Sequence, residues 1–212
     1  MFFDVHTHNH SQLGCTAIRN LSFTEAELVF SSSASGLFSV GFHPWYISAL
    51  TNDCFGDLEK WASDNRFIAV GECGLDKNSK TPIELQLEIF RMQITLSEEI
   101  EKPMIIHCVG CFNELFKLKK DLNPSQLWII HGFRGKPELA TQALKAGCAL
   151  SFGEYFNAES VRVTPIEQLY VETDESELPI EQIYGTIAKA KGCNPSDLYA
   201  GEQFYNRFLS NK

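Results

Sequence analysis

Short apolar runs alternate with helix-like stretches along most of this 212-residue chain. Several of these runs are apolar at consecutive positions, which is typical of parallel β-strands buried on both faces. The eight runs that we interpret as strands occupy residues 2–5, 15–19, 37–41, 67–71, 103–107, 127–131, 148–152 and 168–172. Eight strands that alternate with helices predict an α/β fold of the (β/α)8 TIM-type barrel class.

Helices are predicted in most of the intervals between the strands. The clearest covers residues 82–101, where apolar residues recur every three or four positions after Pro82. The others lie near residues 55–63, 111–121, 136–146, 180–191 and 195–209. Only nine residues, 6–14, separate the first two strand runs, which is fewer than a parallel crossover usually needs. We therefore expect a barrel that is distorted or lacks the first crossover helix, built as one domain over residues 1–212.

The composition is that of a globular protein with an acidic surface. Hydrophobic residues make up 44% of the chain and charged residues 21%, and the formal net charge is −9. Such a surface repels nucleic acid at long range, so any contact with DNA requires a local basic patch.

Seven cysteines, an odd number, are scattered through the predicted strands and helices. This distribution is typical of reduced thiols rather than of a disulfide framework, and it favours a cytoplasmic protein. Cys108 and Cys111 form one C-x-x-C pair without a second, which we interpret as structural. No signal-peptide pattern begins the chain and no apolar stretch of about 18 residues occurs, so we expect no contact with a membrane.

Two histidines, one residue apart, follow the first strand run. Side chains at positions i and i+2 of a strand point to the same face, so His6 and His8 are expected roughly 7 Å apart. Both imidazoles can then reach one metal ion at about 2 Å. The pair predicts a metal site, although a strand end can also carry two histidines by chance.

Further histidines and carboxylates follow other strand runs. Five of the six histidines fall at or just beyond the carboxyl ends of predicted strands: His6, His8, His43, His107 and His131. The sixth, His10, follows the first pair by two residues. Glu72 and Asp174 come after strand runs of their own. Because the carboxyl ends of the strands form the active-site face of a TIM barrel, we expect these side chains to meet there.

A hydrolytic metal site combines neutral imidazoles with carboxylates and keeps one position open for water. Four imidazoles and two carboxylates are enough for two metal ions with one bridging carboxylate: His6, His8, Glu72, His107, His131 and Asp174. Each residue alone also has a structural interpretation, because a strand-end acid, a helix cap and a buried histidine are all common. Their combination favours the metal site.

The same segments resemble the motifs of one enzyme family, in family order, from residue 4 to residue 174. The matches are D-x-H-x-H from Asp4, G-x-HP from Gly41, G-E-x-G-L-D from Gly71, the histidine after P-x-x-I at His107, H-x-F-x-G from His131, and E-T-D from Glu172. The chain is therefore similar to the TatD family of metal-dependent deoxyribonucleases, within the amidohydrolase-like barrels, and resembles a shortened member.

The resemblance implies a single TatD-like hydrolase domain with two divalent metal ions, which can be Mg²⁺, Mn²⁺ or Zn²⁺. In the implied ligand set one ion is held by His6, His8 and Asp174, the second by His107 and His131, and Glu72 bridges the two. Asp174 would take the proton of the attacking water as general base. Asp174 and Glu72 are thus the implied catalytic residues.

Departures from the family's motifs bear on the substrate. Val109 stands where the family usually has an arginine, whereas Lys77 and Arg134 add cations that can receive a phosphate or simply aid solubility. With His43, these two cations are the predicted substrate-binding residues. The stretch 175–188 contains glutamates but no lysine or arginine, where the family typically has a basic loop, so a DNA strand would gain little there.

Aromatic residues also lie near the predicted site: Phe42, Trp45, Tyr46 and Phe133. They can stack on a base, but packing at the rim of the barrel is the interpretation that we favour.

Three hypotheses follow from the sequence. The first is a divalent-metal-dependent phosphodiesterase, nominally a TatD-type deoxyribonuclease that acts on DNA. The second keeps the metals and changes the substrate to a small phosphoester, lactone or amide. The third is a metal-binding scaffold without turnover. In each case we expect a monomer with no stable protein partner.

Overall fold

The computed structural model describes residues 2–9, 14–47 and 53–208. The strands in these ranges are β1 (Phe2–Thr7), β2 (Cys15–Asn20), β3 (Leu37–Val40), β4 (Phe67–Asp76), β5 (Met104–Val109), β6 (Trp128–Ile130), β7 (Cys148–Phe152) and β8 (Leu169–Val171). The helices are α1 (Phe23–Phe30), α2 (Cys54–Ala62), α3 (Ile83–Glu99), α4 (Phe112–Leu122), α5 (Pro137–Lys145), α6 (Ala158–Val163), α7 (Ile180–Lys191) and α8 (Ala200–Phe208). Strand order in the sheet follows chain order, from β1 to β8.

Contacts group the chain into two compact units. One unit combines Met1–Arg19 with Ile129–Lys212, and the other is the continuous segment Asn20–Trp128. We call them the terminal unit and the central unit. The expectation of one domain over residues 1–212 stays a prediction.

The terminal unit is organised around β1. This strand pairs in parallel with β2, β7 pairs in parallel with β8, and a parallel bridge joins Thr7 to Asp174 beyond the end of β8. Helix α8 approaches β1 so closely that a Cβ on Gly201 would lie 2.6 Å from the Cβ of Phe3. The ring of Phe204 packs 5.3 Å from that of Phe3, and the hydroxyl of Tyr184 donates to the Phe3 carbonyl at 2.9 Å. The aromatic core therefore fixes the strand that carries the histidine pair.

In the central unit, β3, β4 and β5 form consecutive parallel pairs. Two buried glutamines of α3 fasten the ends of two of these strands. The side-chain amide of Gln93 bonds both backbone groups of Phe42, just after β3. Gln86 does the same for Asp76, the last residue of β4. Because a buried amide must satisfy both its donor and its acceptor, each glutamine holds its strand end in one position.

The eight predicted strands are confirmed in number and order in the described ranges, and each of the six predicted helices overlaps an observed helix, with some corrections at their ends. Each of the eight predicted strand runs overlaps an observed strand, but β4 continues to Asp76 instead of ending at residue 71. The last predicted helix, 195–209, begins as a 3₁₀ turn over Pro195–Asp197 before α8. His10 and most of the short connection between β1 and β2 lie outside the described residues.

Two helices were not predicted, and both begin at a side-chain cap. Ser22 and Glu25 form a reciprocal capping box at the start of α1, and the side chain of Asn157 accepts from two backbone N–H groups at the start of α6. The S-x-x-E pattern at 22–25 is a sequence signal for a helix start.

Among the described residues, no helix has both the length and the apolar character that a membrane crossing requires. All seven cysteines fall in the described ranges, and no disulfide joins them.

Arg66 connects the start of β4 to the segment that follows α1. One of its guanidinium nitrogens donates to the carbonyl oxygens of Val29, Ser32 and Ala34 at 3.0, 3.0 and 2.7 Å. The carboxylate of Asp64 accepts two more bonds from the guanidinium group, at 2.9 and 2.7 Å, and these bonds lower the pKa of Asp64. One cation therefore donates to a carbonyl group in the last turn of α1 and to two carbonyl groups of the segment that follows it.

We expect Arg66→Ala to lower the free energy of unfolding by about 1–3 kcal/mol, because several carbonyl groups lose a charged donor at once. Arg66→Lys should recover only part of this loss, since the three donors of one ammonium group cannot serve the three carbonyl groups and both oxygens of Asp64 at once. Chemical denaturation measures the difference. Arg91→Ala, at an exposed position of α3, is the control and should change stability by less than about 0.5 kcal/mol. Equal effects of Arg66→Ala and Arg91→Ala would contradict this role of Arg66.

Candidate active site

The histidine pair of β1 meets a carboxylate from beyond β8. The Nε2 atoms of His6 and His8 each lie 3.7 Å from Oδ1 of Asp174, and the two imidazole rings are 5.0 Å apart and nearly perpendicular. These N···O distances are longer than those of good hydrogen bonds. Two ligand atoms at about 2.1 Å from a tetrahedral ion lie about 3.4 Å apart, so the spacing of the three side chains fits one shared cation.

Backbone pairing fixes Asp174 between the two histidines. Its N–H donates to the carbonyl of His6 at 3.0 Å, and its carbonyl accepts from the N–H of His8 at 3.0 Å. Asp174 has a φ of 55°, in the left-handed region that non-glycine residues enter only when their surroundings require it. The backbone bonds to β1 supply this requirement, so the carboxylate position is built into the strand pairing.

The buried carboxyl group of Asp4 positions the segment that contains Asp174. Asp4 accepts from the backbone N–H of Thr173 at 3.0 Å and from its hydroxyl at 2.6 Å. Burial raises the pKa of Asp4 to about 7, although these hydrogen bonds oppose the rise. Asp4, the first residue of the D-x-H-x-H motif, thus positions the segment between Glu172 and Asp174.

Glu172 and His131 extend this cluster. Oε1 of Glu172 accepts from the N–H of Gly132 at 2.6 Å and lies 3.6 Å from Nδ1 of His131. Burial alone would raise the pKa of Glu172, but the hydrogen bonding and charge of His131 and the charge of His6 hold it below its ordinary value. Ligand atoms of His131, Glu172 and Asp174 lie within 4.8 Å of one another. This carboxylate belongs to the E-T-D motif, and the sequence analysis gave it no role.

A second cluster lies in the central unit. Oε1 of Glu72 is 2.9 Å from Nδ1 of His107 and 3.1 Å from Nε2 of His43. On the other side of the His107 ring, Nε2 lies 2.9 Å from Oδ2 of Asp76. When Nε2–H donates to Asp76, Nδ1 faces Glu72 as a nitrogen that can bind a metal, and a carboxylate in this position is the usual partner of a metal-binding histidine.

Asp76 is buried and its carboxylate bonds several donors. Besides His107, the indole Nε1–H of Trp45 donates to Oδ2 at 2.7 Å and the N–H of Asn78 donates to Oδ1 at 2.7 Å. Burial favours a raised pKa for Asp76, but these donors outweigh it and lower the pKa. Asp76 ends the G-E-x-G-L-D motif but was not among the predicted site residues.

His43 is oriented by the backbone next to it. Its Nδ1 accepts from the N–H of Trp45 at 3.1 Å, so the ring proton lies on Nε2, the nitrogen that faces Glu72. A nitrogen that carries a proton does not bind a metal. His43 therefore suits a donor to Glu72 better than a ligand, and its predicted contact with substrate stays a prediction.

The other two predicted substrate residues occupy different settings. The aliphatic stem of Lys77 covers Gly110, where an added Cβ would lie 2.2 Å from its Cδ. Arg134 lies 5.4 Å from the centroid of the Tyr155 ring, at a cavity of about 470 Å³ in the terminal unit. Acidic residues dominate the lining of this cavity: Glu154, Glu172, Asp174, Glu175 and Glu177. Arg134 is the one basic residue among the lining residues that the structure describes.

The structure thus assembles the predicted ligands in two groups. His6, His8, His131 and Asp174 lie in the terminal unit, and Glu72 lies with His107 in the central unit. The assignment of all six as metal ligands, with Glu72 as bridge, stays a prediction.

These observations define a class of protein: parallel strands joined by helices, with imidazoles and carboxylates placed in the carboxyl-terminal halves of the strands or just beyond them. The chain belongs to the family described as TatD related DNase, whose sequence model matches residues 3–190. The resemblance seen in the sequence is confirmed.

Individual relatives agree with this assignment. The chain is 31% identical over 145 residues to an uncharacterized metal-dependent hydrolase, YabD, of Bacillus subtilis, covering 64% of this chain and 57% of the relative. It is 27% identical over 146 residues to the 3'-5' ssDNA/RNA exonuclease TatD of Pantoea ananatis, covering 64% of this chain and 56% of the relative. The matched segment therefore spans little more than half the length of either relative.

Solved structures establish the fold. The TatD homologue YjjV of Escherichia coli superposes with a TM-score of 0.84 at 17% identity, over 98% of this chain and 97% of that one. A TatD family hydrolase of Entamoeba histolytica superposes with a TM-score of 0.79, also at 17% identity, over 98% of each chain. The predicted (β/α)8 TIM-type barrel is confirmed.

Gly74 permits the close approach of β4 to β5 at His107. The two residues are paired in the sheet, Gly74 has a φ of 135°, and an added Cβ would lie 2.1 Å from the carbonyl oxygen of His107. No side chain fits at this position without a shift of the backbone that carries His107.

We expect Gly74→Ala to lower the free energy of unfolding by on the order of 2–4 kcal/mol and to shift the ring resonances of His107. Denaturation and histidine-selective NMR measure the two effects. Gly56→Ala is the matched control, because that glycine lies inside α2 with no atom near its absent Cβ; alanine should raise stability there by up to about 1 kcal/mol. Unchanged stability and unchanged His107 resonances in Gly74→Ala would contradict the account.

Proposed function

We propose that this protein is a divalent-metal-dependent phosphodiesterase that releases nucleotides from the end of single-stranded DNA. The observation that carries the proposal is the convergence of the His6 and His8 Nε2 atoms on one oxygen of Asp174, each at 3.7 Å. The family supports a hydrolase, and the similarity to the 3'-5' ssDNA/RNA exonuclease of Pantoea ananatis supports a single-stranded nucleic acid as substrate.

We assign two divalent cations, Mg²⁺, Mn²⁺ or Zn²⁺, to the two clusters. His6, His8 and Asp174 would hold one ion, and Glu72 and His107 would hold the other. His131 as a further ligand and Glu72 as a bridge follow from the family resemblance. When bound, such ions supply Lewis acidity that makes water a nucleophile near neutral pH.

Asp174 is our candidate for the general base. Its side chain is 27% exposed and lines the 470 Å³ cavity, so it faces both the imidazole pair and the space that a substrate can enter. Its backbone bonds to β1 keep the carboxylate in place while it accepts a proton from the attacking water.

A second candidate function is favoured by the acidic cavity. Glu154, Glu175 and Glu177 surround the cavity with one basic residue, Arg134, and long polyanions are repelled by such a rim. Hydrolysis of a small phosphoester, lactone or amide at the same metal centre fits this charge pattern.

The cytoplasmic location and the monomeric state inferred from the sequence remain proposals.

We expect Asp174→Asn to reduce nucleotide release from a 3'-labelled single-stranded oligonucleotide by about 10²- to 10⁴-fold, because the amide cannot accept the proton. Chelation should abolish release, and added Mg²⁺ or Mn²⁺ should restore it. Glu175→Gln, which changes the adjacent exposed acid, is the matched control and should retain activity. Circular dichroism checks folding in each variant. Full activity in Asp174→Asn, or in chelated protein, would overturn the proposed centre.

Charge reversal separates the two candidate substrates. We expect the double variant Glu175→Lys, Glu177→Lys to raise kcat/KM for an oligonucleotide several-fold at low salt and to leave that for bis(p-nitrophenyl) phosphate unchanged, with the gain vanishing at high salt. Wild-type protein that cleaves small esters but leaves oligonucleotide ends intact would favour the second function. No hydrolysis of any ester by folded, metal-loaded protein would instead indicate a scaffold without turnover.

A further inference from the structure

Trp45 is exposed although its polar atom is firmly bonded. The chain has three tryptophans, all within the described residues, and Trp61 and Trp128 are buried with 3% and 0% of their surface exposed. Trp45 keeps 55% of its surface exposed, and its neighbour Tyr46 keeps 66%. Packing at a rim does not explain two large aromatic side chains that remain mostly in solvent.

Hydrogen bonds hold the Trp45 segment rigidly. The indole Nε1–H donates to Asp76 at 2.7 Å, and the Trp45 backbone N–H donates to His43 Nδ1 at 3.1 Å. The hydroxyl of Ser79 donates to the Pro44 carbonyl at 2.7 Å. A bonded edge and an exposed face make the indole a preorganised platform rather than a loosely placed side chain.

The platform lies beside the second cluster. The Trp45 ring centroid is 5.2 Å from that of His43 and 6.1 Å from that of His107, with the rings steeply inclined in both pairs. The Tyr46 ring lies 5.5 Å from that of His43. Asp76 Oδ2 bonds both the indole of Trp45 and the imidazole of His107. One buried oxygen therefore sets the distance between the Trp45 ring and His107, the candidate metal ligand.

The remaining aromatics of this region show what packing residues look like here. Phe42 is only 3% exposed, and its ring lies between those of Phe23 and Phe55, at 5.0 and 5.7 Å. Phe133 is 2% exposed. The predicted packing role therefore suits these two buried residues. Trp45 and Tyr46 differ from them because most of their surface is exposed to solvent.

We propose that Trp45, with Tyr46 beside it, stacks on an unpaired nucleobase at the end of the nucleic acid that the metal centre hydrolyses. This inference rests on the proposed function and adds the substrate group that is recognised. Stacking needs no cation, which suits a protein of net charge −9 that gains little from phosphate contacts. A base on the indole brings its own phosphodiester towards His107 and Glu72.

Ligand binding tests the proposal without turnover. In Mg²⁺-loaded wild-type protein, thymidine 5'-monophosphate should quench tryptophan fluorescence, and 2-deoxyribose 5-phosphate, which lacks the base, should not. Trp45 is the accessible fluorophore, since the other two indoles are buried. Equal quenching by the two ligands, or no quenching by either one, would overturn the stacking role.

Calorimetric titration of variants separates stacking from an indirect effect through Asp76 and His107. Trp45→Ala should weaken thymidine 5'-monophosphate binding by about 5- to 150-fold, the range seen when a stacking aromatic is removed, and leave deoxyribose 5-phosphate binding unchanged. Trp45→Phe, which keeps a ring but loses the bond to Asp76, should retain most of the affinity for the nucleotide. Equal losses for both ligands in Trp45→Ala would mean that Trp45 only positions His107.

Tyr205→Ala removes an exposed aromatic of α8 and is the matched control; binding of both ligands should be unaffected. Base-dependent binding in a protein that hydrolyses no nucleic acid would refute the proposed function and leave the stacking site standing. Hydrolysis of oligonucleotides without base-dependent binding would refute the stacking site and leave the proposed function standing.

Discussion

The return of the chain from β8 onto β1 is the constraint on which the cluster of the terminal unit depends. Asp4 and Thr173 are 169 positions apart in the sequence, yet a 2.6 Å hydrogen bond joins their side chains in the buried interior. The two backbone bonds of Asp174 to His6 and His8 continue this contact. The histidine pair at the end of β1 becomes a cluster of three candidate ligands only because the segment after β8 is bonded beside it.

The cluster of the central unit depends on a different kind of constraint, in which buried polar side chains fix strand ends. Gln86 bonds both backbone groups of Asp76, and Asp76 then orients His107 and Trp45. A buried amide or carboxylate left unsatisfied is costly, so such a network holds its members in one arrangement. The positions of a candidate metal ligand and of an exposed aromatic ring are thereby linked through a single carboxylate.

Much of this arrangement could be predicted from the sequence. The strand runs with their trailing histidines placed His6, His8, His107 and His131 near strand ends, because the period of a strand and the direction of a parallel barrel fix which residues share a face. Helix α1 was not predicted, although the capping box of Ser22 and Glu25 marks its start in the sequence. The partners of Asp4, Asp76 and Glu172 could not be predicted, because hydrogen bonds between distant segments depend on register and depth that no local pattern encodes.

The solvent exposure of the aromatic side chains could not be predicted from the sequence either. It bears on how the proposed substrate is recognised. Phe42, Trp45, Tyr46 and Phe133 look alike as aromatic residues near strand ends, yet two are buried and two are mostly in solvent. An acidic protein whose cavity is lined by five carboxylates and one arginine cannot derive much affinity for nucleic acid from phosphate contacts. The proposed stacking on an uncharged aromatic face, together with the cations proposed for the histidine and carboxylate clusters, removes this difficulty, because neither contribution requires a basic surface.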